Sequence, residues 1–196
     1  MRVHLFLLFL LAGALAPISA QDVQELNVDH RCVYTGGSMD AELYRFSSSD
    51  EVAARVKEIS ELANVALDFQ LIQANVENVT AVLDADKRYL LYSLDFIEKS
   101  SLLESTGTLA HEMGHHAHAH SLSEERRSVE ELEADQFMGY VLSRKGFPKP
   151  EIAAFLKKMP SSYKVSYEAR WAAVLEGFER AERALQINSL PFDDDP

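Results

Sequence analysis

Apolar residues recur along this chain at helical spacing in several stretches, and between the first and second of these they gather into three short runs of strand length. Ser47-Ser48-Ser49-Asp50 has the composition of a helix start, and Val52, Val56, Ile59, Ala63 and Ala66 then follow along one stripe. The runs Leu67 to Gln73, Val79 to Leu83 and Tyr89 to Ser93 read as strands, the last two joined by Asp84-Ala85-Asp86-Lys87, so a small antiparallel sheet containing a hairpin is expected. Ser101-Leu102-Leu103-Glu104 matches a capping box and predicts a helix reaching about His120. A second helix is expected from about Ser123 to Lys145, ended by Gly146 and by Pro148, which cannot continue it. Pro150 to Met159 makes a short helix. Ser166 is placed to cap a last one, with Trp171, Val174, Leu175, Phe178 and Leu185 as its buried stripe. No internal repeat is present. The fold class expected is α+β, mostly helical with a small antiparallel sheet.

The two ends follow other patterns. Met1-Arg2 is a short basic start, Leu5 to Leu15 an apolar run, and Pro17-Ile18-Ser19-Ala20 has the form of a cleavage site, so residues 1–20 read as a secretory signal peptide cut after Ala20. The run is short for a bilayer span. Residues 21–46 show no sustained period beyond a turn at Thr35-Gly36-Gly37-Ser38. Residues 47–188 carry the periodic segments of one domain, and 189–196 form an acidic tail. The protein expected is exported, periplasmic or secreted.

Composition narrows the choice of partners. The 196 residues carry a formal net charge of −12, and removing Arg2 with the leader would make it −13, which argues against nucleic acid as a partner. The one cysteine, Cys32, forms no intrachain disulfide, so the fold must rest on its apolar core or on metal.

The candidate chemistry lies in His111-Glu112-Met113-Gly114-His115-His116-Ala117-His118-Ala119-His120, which opens on H-E-x-x-H. On a helix His111 and His115 stand about 6 Å apart along the axis and about 40° apart around it. Both imidazoles then reach one ion, and Glu112 lies beside them where it can take a proton from water. Five of the seven histidines fall between 111 and 120, so a metal-sequestering His tract is the competing reading. A catalytic zinc needs a third protein ligand. His118 shares the face of the pair but lies about 4.5 Å beyond His115 along the axis, and His116, His118 and His120 are expected at the surface or behind the ligands. Glu131, Ala134, Asp135, Met138, Val141 and Leu142 share one face of the following helix, so two carboxylates continue an inward-pointing apolar stripe. Buried carboxylates need partners. Glu131 is the expected third ligand, with Asp135 accepting a hydrogen bond from a ligating imidazole, while Glu130 and Glu133 fit a solvated face.

These paired motifs, His111-Glu112-Met113-Gly114-His115 and Glu131-Leu132-Glu133-Ala134-Asp135, resemble those of the zinc peptidases of the HtpX and CAAX-prenyl-protease type, especially their small soluble periplasmic members. The resemblance covers about Ser101 to Arg170. It implies a zincin-like, mostly helical domain with a small sheet, one zinc per chain on His111, His115 and Glu131, and Glu112 as general base. It also implies cleavage of misfolded or damaged envelope proteins, with protein or peptide substrates and association with envelope proteins or the membrane surface. Two features depart from the family. Asp84-Ala85-Asp86-Lys87 lacks its Gly-rich turn, and, aligned on Arg170, the family's His-Pro pair falls on Lys164 and Val165. Lys164 and Arg170, with Tyr163 and Tyr167, are the candidate donors to a developing oxyanion. The rival reading is a non-catalytic zinc-binding or chaperone-like protein that keeps the site.

Overall fold

The computed structural model of the chain describes residues 30–31, 43–159 and 165–188. The expected signal peptide, Cys32, the turn expected at 35–38, Tyr163, Lys164 and the expected acidic tail lie outside the described residues. The elements in order are β1 (His30–Arg31), β2 (Arg45–Phe46), α1 (Asp50–Ala63), β3 (Gln70–Ala74), β4 (Val79–Asp84), β5 (Lys87–Tyr92), α2 (Leu94–Lys99), α3 (Leu102–Ala117), α4 (Arg127–Arg144), α5 (Lys149–Lys158) and α6 (Tyr167–Asn188). The class is α+β and mostly helical, as expected.

The sheet runs β1-β4-β5-β3-β2. The hairpin falls where it was expected: β4 and β5 pair antiparallel from Val79↔Tyr92 to Asp84↔Lys87, turning at Ala85-Asp86. The sheet as a whole is mixed, however, because β3 pairs parallel to β5. Residues 75–78 carry the chain from β3 across the width of one strand to β4, and β5 returns into the gap. Two reversals leave β3 and β5 running the same way. That order depends on contacts between segments distant in sequence, so the antiparallel expectation is corrected for this pair. The described part of the N-terminal arm contributes two-residue strands at both edges, β1 on β4 and β2 on β3, too short to show a period.

α3 is the centre of the molecule, its residues 105–116 buried on every side. Leu109, Ala110 and Met113 meet Val52, Val56 and Ile59 of α1, Val79, Leu90 and Tyr92 of the sheet, and residues of α4 to α6 in one apolar cluster. The opposite face of the sheet carries Ile72, Val82, Tyr89 and Leu91 in a second cluster, the strand alternation of period two sending neighbours to opposite sides. Backbones approach closely where glycines allow it. A Cβ on Gly177 would lie 1.8 Å from the Gln136 carbonyl oxygen, and one on Gly139 would lie 2.1 Å from that of Val174, so α4 and α6 cross at van der Waals contact of their main chains. Gly114 does the same between α3 and α4, where a Cβ would meet Ala134 Cα at 3.0 Å.

Several boundaries differ from the sequence expectation. α1 ends at Asn64 in the left-handed region, φ 53°, so Ala66 is outside the helix. α2, under two turns long and capped by Ser93, had no readable period. α3 stops at Ala117 rather than about His120, and α4 starts at Arg127. Its other end is as expected, with Gly146 at φ 82° and the Phe147 amide bonded to the Leu142 carbonyl. On α6, Ser166 Oγ accepts from the Ala169 amide as the cap, but Leu185 is 48% exposed. The buried face there is Arg170, Val174, Phe178 and Ala181.

Candidate metal centre

The Ser101–Glu104 capping box fixes the start of α3, with Ser101 Oγ accepting from the Glu104 amide and the Glu104 carboxylate accepting from the Ser101 amide. His111 and His115 follow in the third and fourth turns, both fully buried, on the side that faces α4. Glu131, from the second turn of α4, places its carboxylate between them. Its oxygens stand 3.2 Å from His111 Nε2 and 3.8 Å from His115 Nε2. Candidate ligand atoms of the three residues all lie within 4.8 Å of one another. A tetrahedral ion at zinc-like bond lengths holds its ligand atoms about 3.3 Å apart, so the three side chains fit one metal ion with little adjustment. The chemistry of His115 agrees. Its buried Nε2 makes no hydrogen bond, an arrangement that costs free energy without an ion to receive the lone pair.

Behind each imidazole stands a hydrogen-bonding partner, a carboxylate for His111 and a second imidazole for His115. His111 Nδ1 lies 2.9 Å from Asp135 Oδ1, and Arg170 grips the same carboxylate with two donors, Nε to Oδ2 at 2.7 Å and Nη2 to Oδ1 at 2.8 Å. Burial opposes charge on His111, but hydrogen bonds to Asp135 and Glu131 outweigh it and raise its pKa to about 10. Burial alone would push Asp135 up, yet Arg170 and His111 hold it below its ordinary range. His115 goes the other way: burial, then the neighbouring charge of His111, hold it well below the usual imidazole value. Its Nδ1 lies 2.9 Å from His120 Nδ1, and His120 Nε2 lies 2.8 Å from Glu133 Oε2.

Glu112, the next residue, faces the sheet, where its Oε2 accepts a 2.7 Å hydrogen bond from the Ala81 amide of β4. The carboxylate is thus tied to a strand of the sheet. Arg170 is buried behind Asp135, so its guanidinium braces a carboxylate rather than standing open to a substrate.

The surrounding acidic and histidine side chains follow the sequence reading in part: His120 stands behind a ligand and Glu133 stays half-exposed, as expected, whereas Glu130 does not. His116 is buried against the sheet, its Nε2 on the Tyr89 carbonyl and its ring stacked on Phe69; burial lowers its pKa to about 4. His120 is buried and touches a candidate ligand. Glu130 is fully buried and accepts from the Ser121 amide and hydroxyl and from the Leu122 amide, so the solvated face assigned to it is corrected. Glu133, 41% exposed at its side chain, is bonded to His120. The contacts of His120, Glu130 and Glu133 share one cause, the early end of α3, which turns residues 118–123 back over α4. His118 is exposed, as expected, with its Nδ1 on the Gly114 carbonyl at the helix end. The only sequence signal for this loop is that Glu130 and Glu133 share a helix with Glu131, which marks acidity and not direction. No described helix is long and apolar enough to cross a membrane. Set against protein-family models, curated proteins and solved structures, the chain matches none of them.

Proposed function

We propose that the protein is an exported zinc metalloendopeptidase acting on protein or peptide substrates of the cell envelope, in the manner of the HtpX-type peptidases that its motifs resemble. The observation that carries this is the convergence of His111, His115 and Glu131 from two helices on one buried point, with Glu112 one residue along the helix. His111, His115 and Glu131 would hold the ion. Zinc in that position supplies Lewis acidity, lowering the pKa of water and polarising a peptide carbonyl. Glu112 accepts the proton lost by the attacking water at its carboxylate and passes it to the nitrogen of the leaving amine. The Ala81 amide fixes the orientation of the Glu112 carboxylate. Asp135 and Arg170 keep the His111 ring in register, and Lys164 is retained from the alignment as a candidate oxyanion donor.

A second reading has one observation in its favour. His111, Glu112 and His115 are fully buried, which suits a metal that only holds the fold together. A digest of casein or another unfolded protein, with zinc and chelator controls, separates the two. Glu112→Gln keeps the three ligands and removes the base, so the variant should retain zinc while cleavage falls about 10²–10⁴-fold. Cleavage by the variant at the wild-type rate would reject Glu112 as the base, and a zinc-loaded wild type inert on unfolded substrates would favour the structural role.

A further inference from the structure

We infer that His120, backed by Glu133, is a positioning residue that fixes His115 as the Nδ1-protonated tautomer, so that its Nε2 lone pair points at the metal. The inference rests on the metal-site reading above and extends it to residues outside the ligand set. Proton counting carries it. A carboxylate only accepts, so the 2.8 Å contact puts a proton on His120 Nε2. A neutral His120 then has a bare Nδ1. The 2.9 Å contact between the two Nδ1 atoms needs one proton, and His115 supplies it. His115 Nε2 is left bare and, consistently, forms no hydrogen bond. Both rings are buried, which favours a neutral pair over a charged one. His111 gets the same service directly from Asp135, whereas His115 receives it through one intervening imidazole.

The end of α3 builds this contact. His118 is the C-cap, and Ala119 follows in the left-handed region at φ 52°. The Ala119 amide donates to the His116 carbonyl and the His120 amide to the His115 carbonyl at 2.9 Å, the bond pattern of a Schellman end. That motif brings the side chains of its first and last residues together, usually as an apolar contact; here they are His115 and His120. Beyond His120, Glu130 holds Ser121 and Leu122, and Arg127 donates to the Leu122 carbonyl. Leu122 itself sits at φ 56°, a strained value that this clamp maintains.

The test uses the full chain in two forms. In metal-free protein, long-range proton–nitrogen NMR of the imidazoles should show His115 protonated at Nδ1, a readout that does not depend on whether zinc is the native ion. Zinc affinity, measured by competition with a chelating dye, should fall about 10–100-fold in His120→Ala. His120→Asn should restore most of it, because the Asn Oδ1 occupies the position of Nδ1 and accepts the same proton. His120→Gln, whose polar atoms overlay Nε2, should not. Glu133→Ala, at a half-exposed position that leaves the fold intact, should weaken zinc several-fold and mix the His115 tautomers. An Nδ1-bare His115 in the wild type, or equal rescue by Asn and Gln, would overturn the inference. Failure of the wild type to bind zinc, with His115 still Nδ1-protonated, would count against the zinc reading and leave the tautomer assignment standing.

Discussion

At the scale of single residues, Arg170 changes meaning between sequence and structure. Its spacing made it a candidate oxyanion donor, but both oxygens of Asp135 receive its hydrogen bonds and the pair is buried. Removing one partner of a buried ion pair leaves an uncompensated charge and costs about 3–5 kcal/mol. Arg170→Ala should therefore lower the stability of the metal-free protein by that order in urea unfolding, before any effect on catalysis. A loss under about 1 kcal/mol would mean that Asp135 is adequately solvated or neutralised without Arg170. The contrast between legible and illegible residues follows from locality. His111, His115, Glu131 and Asp135 were readable because helical spacing alone puts each pair on one face. The contact of His120 with His115 was not, because it depends on a left-handed residue at 119 that is alanine, where the usual glycine would have marked the helix end.

At the scale of elements, the long helices were readable from their 3.6-residue period, while the parallel pairing of β3 with β5 and the burial of Glu130 depend on neighbours that no period reports. The α4–α6 crossing was equally hidden, since Gly139 and Gly177 carry no pattern until the helices are placed. The Arg170–Asp135 contact lies at this crossing, close in sequence to Val174 and Gly139. A methyl group at Gly177 would collide with the Gln136 carbonyl, which is main chain and cannot rotate away. Overpacking of side chains costs about 1–3 kcal/mol, and a backbone collision belongs at or above the top of that range. Gly177→Ala should thus destabilise strongly and draw Arg170 off Asp135, seen as weakened zinc binding in whatever fraction stays folded. A surface substitution on the same helix, Glu179→Ala, should do neither.

At the scale of the whole molecule, the metal, the proton and the fold compete for one group. His111 in the metal-free protein has a pKa near 10, against 6.5 as its ordinary value. A group raised on folding contributes stability that is fully present below its unfolded pKa and is lost as pH rises toward its folded one. The metal-free protein should therefore lose stability from this source between about pH 6.5 and pH 10, Asp135 having been ionised well below that window. A bound ion replaces the proton on His111, so the same interval should strengthen metal binding. His115, held well below the usual imidazole value, is neutral and has no second proton to give up. The two imidazoles together should release about one proton per metal near pH 6, not two, measurable by calorimetry in buffers of different ionisation enthalpy. The separation between metal-loaded and metal-free melting temperatures should widen from pH 6 to pH 8, because metal affinity rises while the charged His111 contributes less and less to the stability of the metal-free fold. A separation that stays constant, with no proton released, would show that His111 is already neutral before the metal arrives and that Asp135 and Glu131 do not hold it charged.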